Sequence, residues 1–149
     1  MVSVFRGNAP ARIDDKGRLK VPNAFRTLLE GKHGRELFLT SLTGESVRIY
    51  PMPVWLDVEQ KLAAMPSTHP SKLRFLERVN YFGSGGELDV QGRVLIPVRL
   101  REAAIMAGDV DVLGQYNYLE VWNHDRLLAR MQHEPFSDDD ARALSEFGV

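Results

Sequence analysis

Two short segments of the chain carry residue types that could do chemistry. In the first, Asp14 and Arg18 stand four residues apart around Asp15-Lys16-Gly17; in the second, Asp89 and Arg93 flank Val90-Gln91-Gly92. A carboxylate and a guanidinium on either side of a glycine turn admit two readings. In one, the pair is a salt bridge across the neck of a hairpin and serves folding alone. In the other, Arg18 and Arg93 are planar forks on a narrow two-stranded ribbon, able to meet guanine O6 and N7 in a DNA major groove or to clamp a phosphate. Asp14 and Asp89 would then orient the arginines and not touch DNA, because a carboxylate repels phosphate. Lys16 and Lys20 flank Arg18, whereas Gln91 and Leu95 flank Arg93, so the first hairpin is the expected main contact. Arg6 and Arg12 precede it and could add phosphate contacts, with ordinary surface charge the competing reading, above all for Arg12.

Other constellations come to less. Gly83-Ser84-Gly85-Gly86 lacks the Lys-Ser/Thr of a phosphate-binding loop and sits between an expected helix and an expected strand, where a helix end and an entry strand account for it. His33, His69, His124 and His133 lack metal-ligand spacing, and there is no Gly-x-Ser-x-Gly. Asp138–Asp140 suits the start of a helix through the helix dipole. Trp55 and Trp122 read as packing residues, and Lys72, Arg74 and Arg78 as a solvated helix face. No nucleophile, base and oxyanion hole assemble, so no catalytic residue, metal or cofactor is expected.

The elements that must position the two arginines follow from a repeat. The segment Asp14–Arg26 aligns with Asp89–Arg101, 75 residues later, with five identical positions: Asp, Gly, Arg, Pro and Arg. Each copy continues with a Gly where a helix should stop (Gly31, Gly108), an apolar stretch, a turn, and a stretch ending in an aromatic (Tyr50, Trp122). Each copy therefore reads as strand, turn, strand, helix, strand, turn, strand. Gly17 and Gly92 supply the positive φ of a tight turn. Short strands at Arg18–Val21 and Arg93–Ile96 end at Pro22 and Pro97, which suit the first helical position of helices near 22–30 and 97–106. Between the copies, Val54, Trp55, Val58, Leu62 and Met65 share one helical face after Pro53; Pro66-Ser67-Thr68 breaks it, and a second helix from about Pro70 to Phe82 turns Leu73, Leu76 and Val79 inward. A helix with Leu127, Leu128 and Met131 follows Trp122, Pro135 ends it, and Ser137 with Asp140 reads as a capping box opening a last helix. The expected organisation is a first repeat over 1–52, a helical connector over 53–83, a second repeat over 84–123 and a helical tail over 124–149, with the repeats packed as one structural domain.

Composition bounds the rest. The 149 residues are 44% hydrophobic and 26% charged, a globular balance with room for one ordinary core. No run approaches the ~18 apolar residues of a membrane span, and the start has no apolar leader core. The absence of cysteine removes disulfides, thiolate zinc sites and cysteine nucleophiles together, and fits a reducing cytosol. A net charge of −1 argues against coating nucleic acid by bulk charge, but it averages a gradient. Residues 1–26 carry six basic side chains against Asp14 and Asp15; residues 134–149 carry five acids against Arg142. Such a tail could lie near the basic end and weaken nonspecific DNA binding.

Asp-x-x-x-Arg twice, each followed by an apolar-Pro step and a short helix, resembles the MraZ proteins, bacterial transcription regulators encoded at the head of the division and cell-wall gene cluster. Arg6-Gly7, Tyr50-Pro51 before Trp55, and Gly114-Gln115-Tyr116-Asn117 before Leu119-Glu120-Val121-Trp122 extend the resemblance over about residues 5–125. It implies an α+β fold of the AbrB type, a swapped-hairpin β-barrel built from two internal repeats, with an αα-hairpin between them and C-terminal helices. It implies a homo-oligomeric ring of eight to twelve subunits, cytoplasmic and associated with the nucleoid. It further implies binding of double-stranded DNA at G-rich direct promoter repeats, usually as a repressor of its own operon, with no small-molecule substrate and no membrane partner. Carried over, Lys16, Gly17 and Arg18 would be the reading element, with Lys20 and Arg6 assisting, Arg93 as the second-motif counterpart, and Asp14 and Asp89 orienting. A scaffold that uses the same arginines to lock subunits together is the alternative, and a small enzyme the third and least supported reading.

Overall fold

The structure, a computed structural model, describes residues 4–149; Met1–Ser3, part of the stretch read for a leader, lie outside it. The first unit runs β1 (Asn8–Ile13), β2 (Arg18–Lys20), α1 (Asn23–Leu28), β3 (Glu36–Thr40) and β4 (Val47–Pro51). Two helices follow, α2 (Met52–Ala63) and α3 (Pro70–Tyr81). The second unit repeats the order with β5 (Ser84–Glu87), β6 (Arg93–Leu95), α4 (Val98–Ala104), β7 (Gly108–Gly114) and β8 (Leu119–Asn123). The chain closes with α5 (His124–His133) and α6 (Asp138–Ser145). Among the described residues no helix is long and apolar enough to cross a membrane.

Neither unit owns a sheet. The eight strands form one antiparallel sheet in the order β5-β3-β4-β8-β7-β1-β2-β6, curled into a nearly closed barrel. β1 meets β2 only at Ile13↔Leu19, then runs along β7 from Ile13↔Gly108 to Asn8↔Leu113. β2 lies against β6 of the other repeat, and β4 against β8. Alternation along each strand sends one face inward. Leu19, Leu37, Leu39 and Ile49 from the first unit meet Val94, Ile96, Leu100, Val112, Leu119 and Val121 from the second, all at most 1% exposed. The α+β barrel built from two repeats is thus present as expected, with the hairpins exchanged across it.

Several local expectations shift. Pro22 and Pro97 are not the first helical residues; they cap the helices from extended backbone (ψ 141° and 149°), and their carbonyls accept from Arg26 N and Arg101 N at 2.9 Å. The strands before them end one residue early, at Lys20 and Leu95. Gly31 does not stop the first helix: Leu29, fully buried one turn after Phe25, carries the winding on through a π-helical turn, Leu29–His33, which ends at Gly34 (φ 91°). Gly108 opens β7, and α4 ends at left-handed Ile105 (φ 53°). On α3, Val79 is buried but Leu73 is exposed, because Phe75 takes the inward place and joins the row Phe38–Trp55–Phe75, with ring centroids 4.5 Å and 6.5 Å apart. On α5, Leu127 is buried whereas Leu128 and Met131 face solvent, since only one side of the helix meets β7 and β8. The capping box forms as read, Ser137 Oγ accepting from Asp140 N at 3.1 Å and Asp140 Oδ2 from Ser137 N at 2.9 Å.

Gly83 shows what the glycine run is for. A Cβ there would meet the Val79 carbonyl at 2.2 Å and the Phe38 ring at 2.6 Å. The residue lets the end of α3 pass close to the aromatic row before β5 begins. Gly83→Ala should therefore destabilise the fold by roughly 1–3 kcal/mol through overpacking, read from a urea midpoint; an unchanged midpoint would refute this packing role.

Candidate nucleic-acid interface

Each Asp-x-x-x-Arg segment folds into the same small device. Asp14 Oδ1 accepts from the backbone N–H groups of Lys16 (3.0 Å) and Arg18 (2.8 Å), and Asp14 Oδ2 accepts from Arg18 Nε at 2.8 Å. Asp89 repeats it with Gln91 N (2.8 Å), Arg93 N (2.9 Å) and Arg93 Nε (3.1 Å). The backbone donor on residue 18 or 93 is the largest influence holding each carboxyl below the usual carboxylate range; the arginine side chain adds to it. In both arginines only Nε is engaged, so the outer Nη groups make no hydrogen bond within the described residues. The expected orienting role of Asp14 and Asp89 has this geometry as its basis.

The hairpins do not protrude as separate ribbons. Within the first hairpin β1 and β2 pair only at Ile13↔Leu19, β5 pairs with β3, and β2 pairs with β6 in the register Arg18↔Leu95, Leu19↔Val94 and Lys20↔Arg93. Leu19 and Val94 point into the core, so Arg18, Lys20, Arg93 and Leu95 occupy the outer face. The exposed two-stranded surface is built from one strand of each repeat. It brings together Arg18, Lys20 and Arg93, with exposed Lys16 on the adjoining turn.

Arg6 is not part of this group. It lies next to the Phe5–Tyr116 bridge, before the start of β1, while the turn follows its other end. Six extended residues separate them, about 20 Å at ~3.3 Å per residue. Arg12 is paired with Asp109, its cross-strand partner on β7, at 3.3 Å in an exposed position. The acidic tail does not reach the basic end within one chain: its described bonds run only among its own neighbours and α5.

Two residues that support the turns escaped the sequence reading although they are the fifth identity of the repeat. Arg26 and Arg101 each lie beneath the turn of the other copy. A Cβ on Gly92 would fall 2.7 Å from Arg26 Cδ, and one on Gly17 within 2.5 Å of the Arg101 guanidinium. Backbone bonds run the same way: Val21 N–H donates to the Gly92 carbonyl (2.9 Å) and Ile96 N–H to the Gly17 carbonyl (3.0 Å). The two clasps are unequal. Arg26 also donates to Glu30 (2.9 Å) and to the Val90 carbonyl (3.0 Å), whereas Arg101 has a buried Nε with no partner. The spacing signal was visible as a repeated Arg; which turn it served was not, because the partner lies in the other repeat.

The lowered carboxyls give a pH prediction. Their contribution to the turns is present above the ordinary carboxylate range and is lost as pH falls through their depressed values. NMR titration should place Asp14 and Asp89 below the ordinary aspartate value. Asp14 should stay lowered, though less, in Arg18→Ala, because the backbone donor remains; a return to the ordinary value would show that the side chain alone holds it.

The comparisons with known proteins agree with this construction. The MraZ protein family model matches residues 4–78 and 85–147. The transcriptional regulator MraZ of Acidobacterium capsulatum is 48% identical over 146 residues, covering 98% of this chain and 100% of the relative. That of Koribacter versatilis is 46% identical over 147 residues, with 98% and 100% covered. That of Herpetosiphon aurantiacus is 35% identical over 152 residues, again with 98% and 100% covered. With two turn devices in one interleaved barrel and relatives matched along nearly its whole length, the chain belongs to the MraZ family.

Proposed function

We propose that this protein is a sequence-specific DNA-binding transcriptional regulator whose reading surface is the paired face of β2 and β6. The observation that carries the proposal is the assembly of Arg18, Lys20 and Arg93 on one outward face, beside Lys16, with two guanidinium groups held by Nε and open at Nη. Guanine is the base that a guanidinium meets bidentately, which supports the G-rich direct repeats implied by the family resemblance. The relatives named above carry the name transcriptional regulator, which supports the same role here. The finer reading is a cytoplasmic, nucleoid-associated repressor of the division and cell-wall cluster that includes its own gene. It acts as a ring of eight to twelve subunits, and a ring supports this at a net charge of −1 because modest contacts add over several sites. The anchoring of both arginines by aspartates favours a second reading, a scaffold without sequence readout.

One experiment separates them. Wild type and Arg18→Ala are titrated against DNA upstream of the gene and a scrambled control at several salt concentrations, with light scattering to follow assembly. A DNA reader should lose about 1–3 kcal/mol per engaged site on the repeats while still assembling. Undiminished binding would remove Arg18 from the site, and loss of assembly would favour the scaffold.

The clasps make a sharper prediction. Arg101 supports the Gly17 turn and Arg26 the Gly92 turn. Arg26→Ala removes more protein bonds and should cost more thermal stability. Arg101→Ala should cost more DNA affinity, because it loosens the basic hairpin. Equal DNA effects would show that the two hairpins contribute alike.

A further inference from the structure

We propose that α6 and the residues after it dock into the groove between α3 and α4 of a second copy of this chain, and that this head-to-tail contact closes the ring. The inference rests on the ring reading above and adds to it the surfaces involved.

The tail is a folded element without a surface to fold against. Every residue from Leu128 to Val149 is exposed. From Pro135 onward each hydrogen bond and ion pair among the described residues stays inside the segment. Helices shorter than about 12 residues are marginal in water even with good sequences, and α6 has eight residues. A capping box starts it but does not hold it. Its Leu144 and following Phe147 are 40% and 82% exposed, and Asp138, Asp139 and Glu146 surround them with negative charge.

The same chain leaves a complementary groove open. Tyr81 at the end of α3 and Val98 at the start of α4 are 58% and 56% exposed and line it with Phe82 and Ala103. Its rim carries both signs: Glu102 lines it beside Arg99, and Arg78 on α3 is paired with Glu77 at 3.0 Å. Arg99 lies over the Tyr81 ring at 4.5 Å and donates to the Tyr81 carbonyl at 3.3 Å, and Arg78 stands one turn back on α3. An acidic helix with an aromatic end thus meets an apolar groove in which Arg99, bound to Tyr81 alone, has no acidic partner among the described residues. Donor and acceptor are different patches, and within one chain the described tail residues make no hydrogen bond or ion pair to the groove, whose Tyr81 and Val98 stay exposed. Contacts between unlike patches are heterologous, and they generate closed rings when the rotation between subunits closes.

Two variants test this in the full protein by light scattering. One ends at Ser137. The other carries Val98→Asp and Arg99→Glu, both at exposed positions that put negative charge opposite the acidic helix. Wild type should be a ring, and each variant alone should fall to the 16.9 kDa chain or close to it, with its far-ultraviolet spectrum and thermal midpoint retained. Mixed in equal amounts, the variants should form a two-chain complex and nothing larger, because one good tail then meets one good groove. A wild-type ring that survives in both variants overturns the docking contact and leaves the ring reading standing. A monomeric wild type overturns both, including the case in which the tail folds back on its own groove.

Discussion

A turn that cannot be completed by its own repeat organises this molecule. Gly17 and Gly92 hold the positive φ that folds each Asp-x-x-x-Arg loop, and each offers its carbonyl to the opposite copy, to Ile96 N–H and Val21 N–H respectively. The arginine that ends each aligned segment, Arg26 or Arg101, lies directly beneath the opposite glycine, in space a side chain would fill. A single repeat would leave two backbone groups and a flat guanidinium face without their places. The interleaved strand order, the mixed origin of the core and the joint outer face of β2 and β6 all follow from that exchange.

The same exchange explains how a chain with almost no net charge can present a basic surface. Leu19 and Val94 are drawn inward by the barrel, so the residues on either side are forced outward and into register across the two repeats. Arg93 converges with Arg18 and Lys20 although it lies in the other repeat. Each aspartate takes up only the Nε edge of its arginine, fixing the plane of the guanidinium while leaving the outer edge open. Ordering a long side chain before binding reduces the conformational entropy that binding must overcome.

What could be read from the residues was local chemistry. Asp, Gly, Arg and Pro at fixed offsets specify the turn, its carboxylate bonds and the end of the strand, and these appear where the repeat puts them. The identity of the partner has no local signature. Arg26 and Arg101 were evident as a repeated residue, yet their sites lie under turns in the other half of the chain. Phe75 displaced Leu73 from the inward face because Trp55 and Phe38 were already stacked there, a choice made by tertiary packing. Leu29 overrode Gly31 for the same kind of reason, burial outweighing a glycine's preference for ending a helix.

Carrying both hairpins on one polypeptide has a consequence for orientation. Two identical hairpins related by a two-fold axis would present the same face to a duplex whichever way its strands ran. Here the pair has diverged: Lys16 and Lys20 on one side correspond to Gln91 and Leu95 on the other, and Arg26 is braced by Glu30 while Arg101 has no such acid. The fused pair has lost its dyad and gained a front and a back. Under the proposed DNA-reading function, a surface of that kind would distinguish a sequence from its reverse complement, and subunits set side by side in the same sense would match sites that all point one way along the helix.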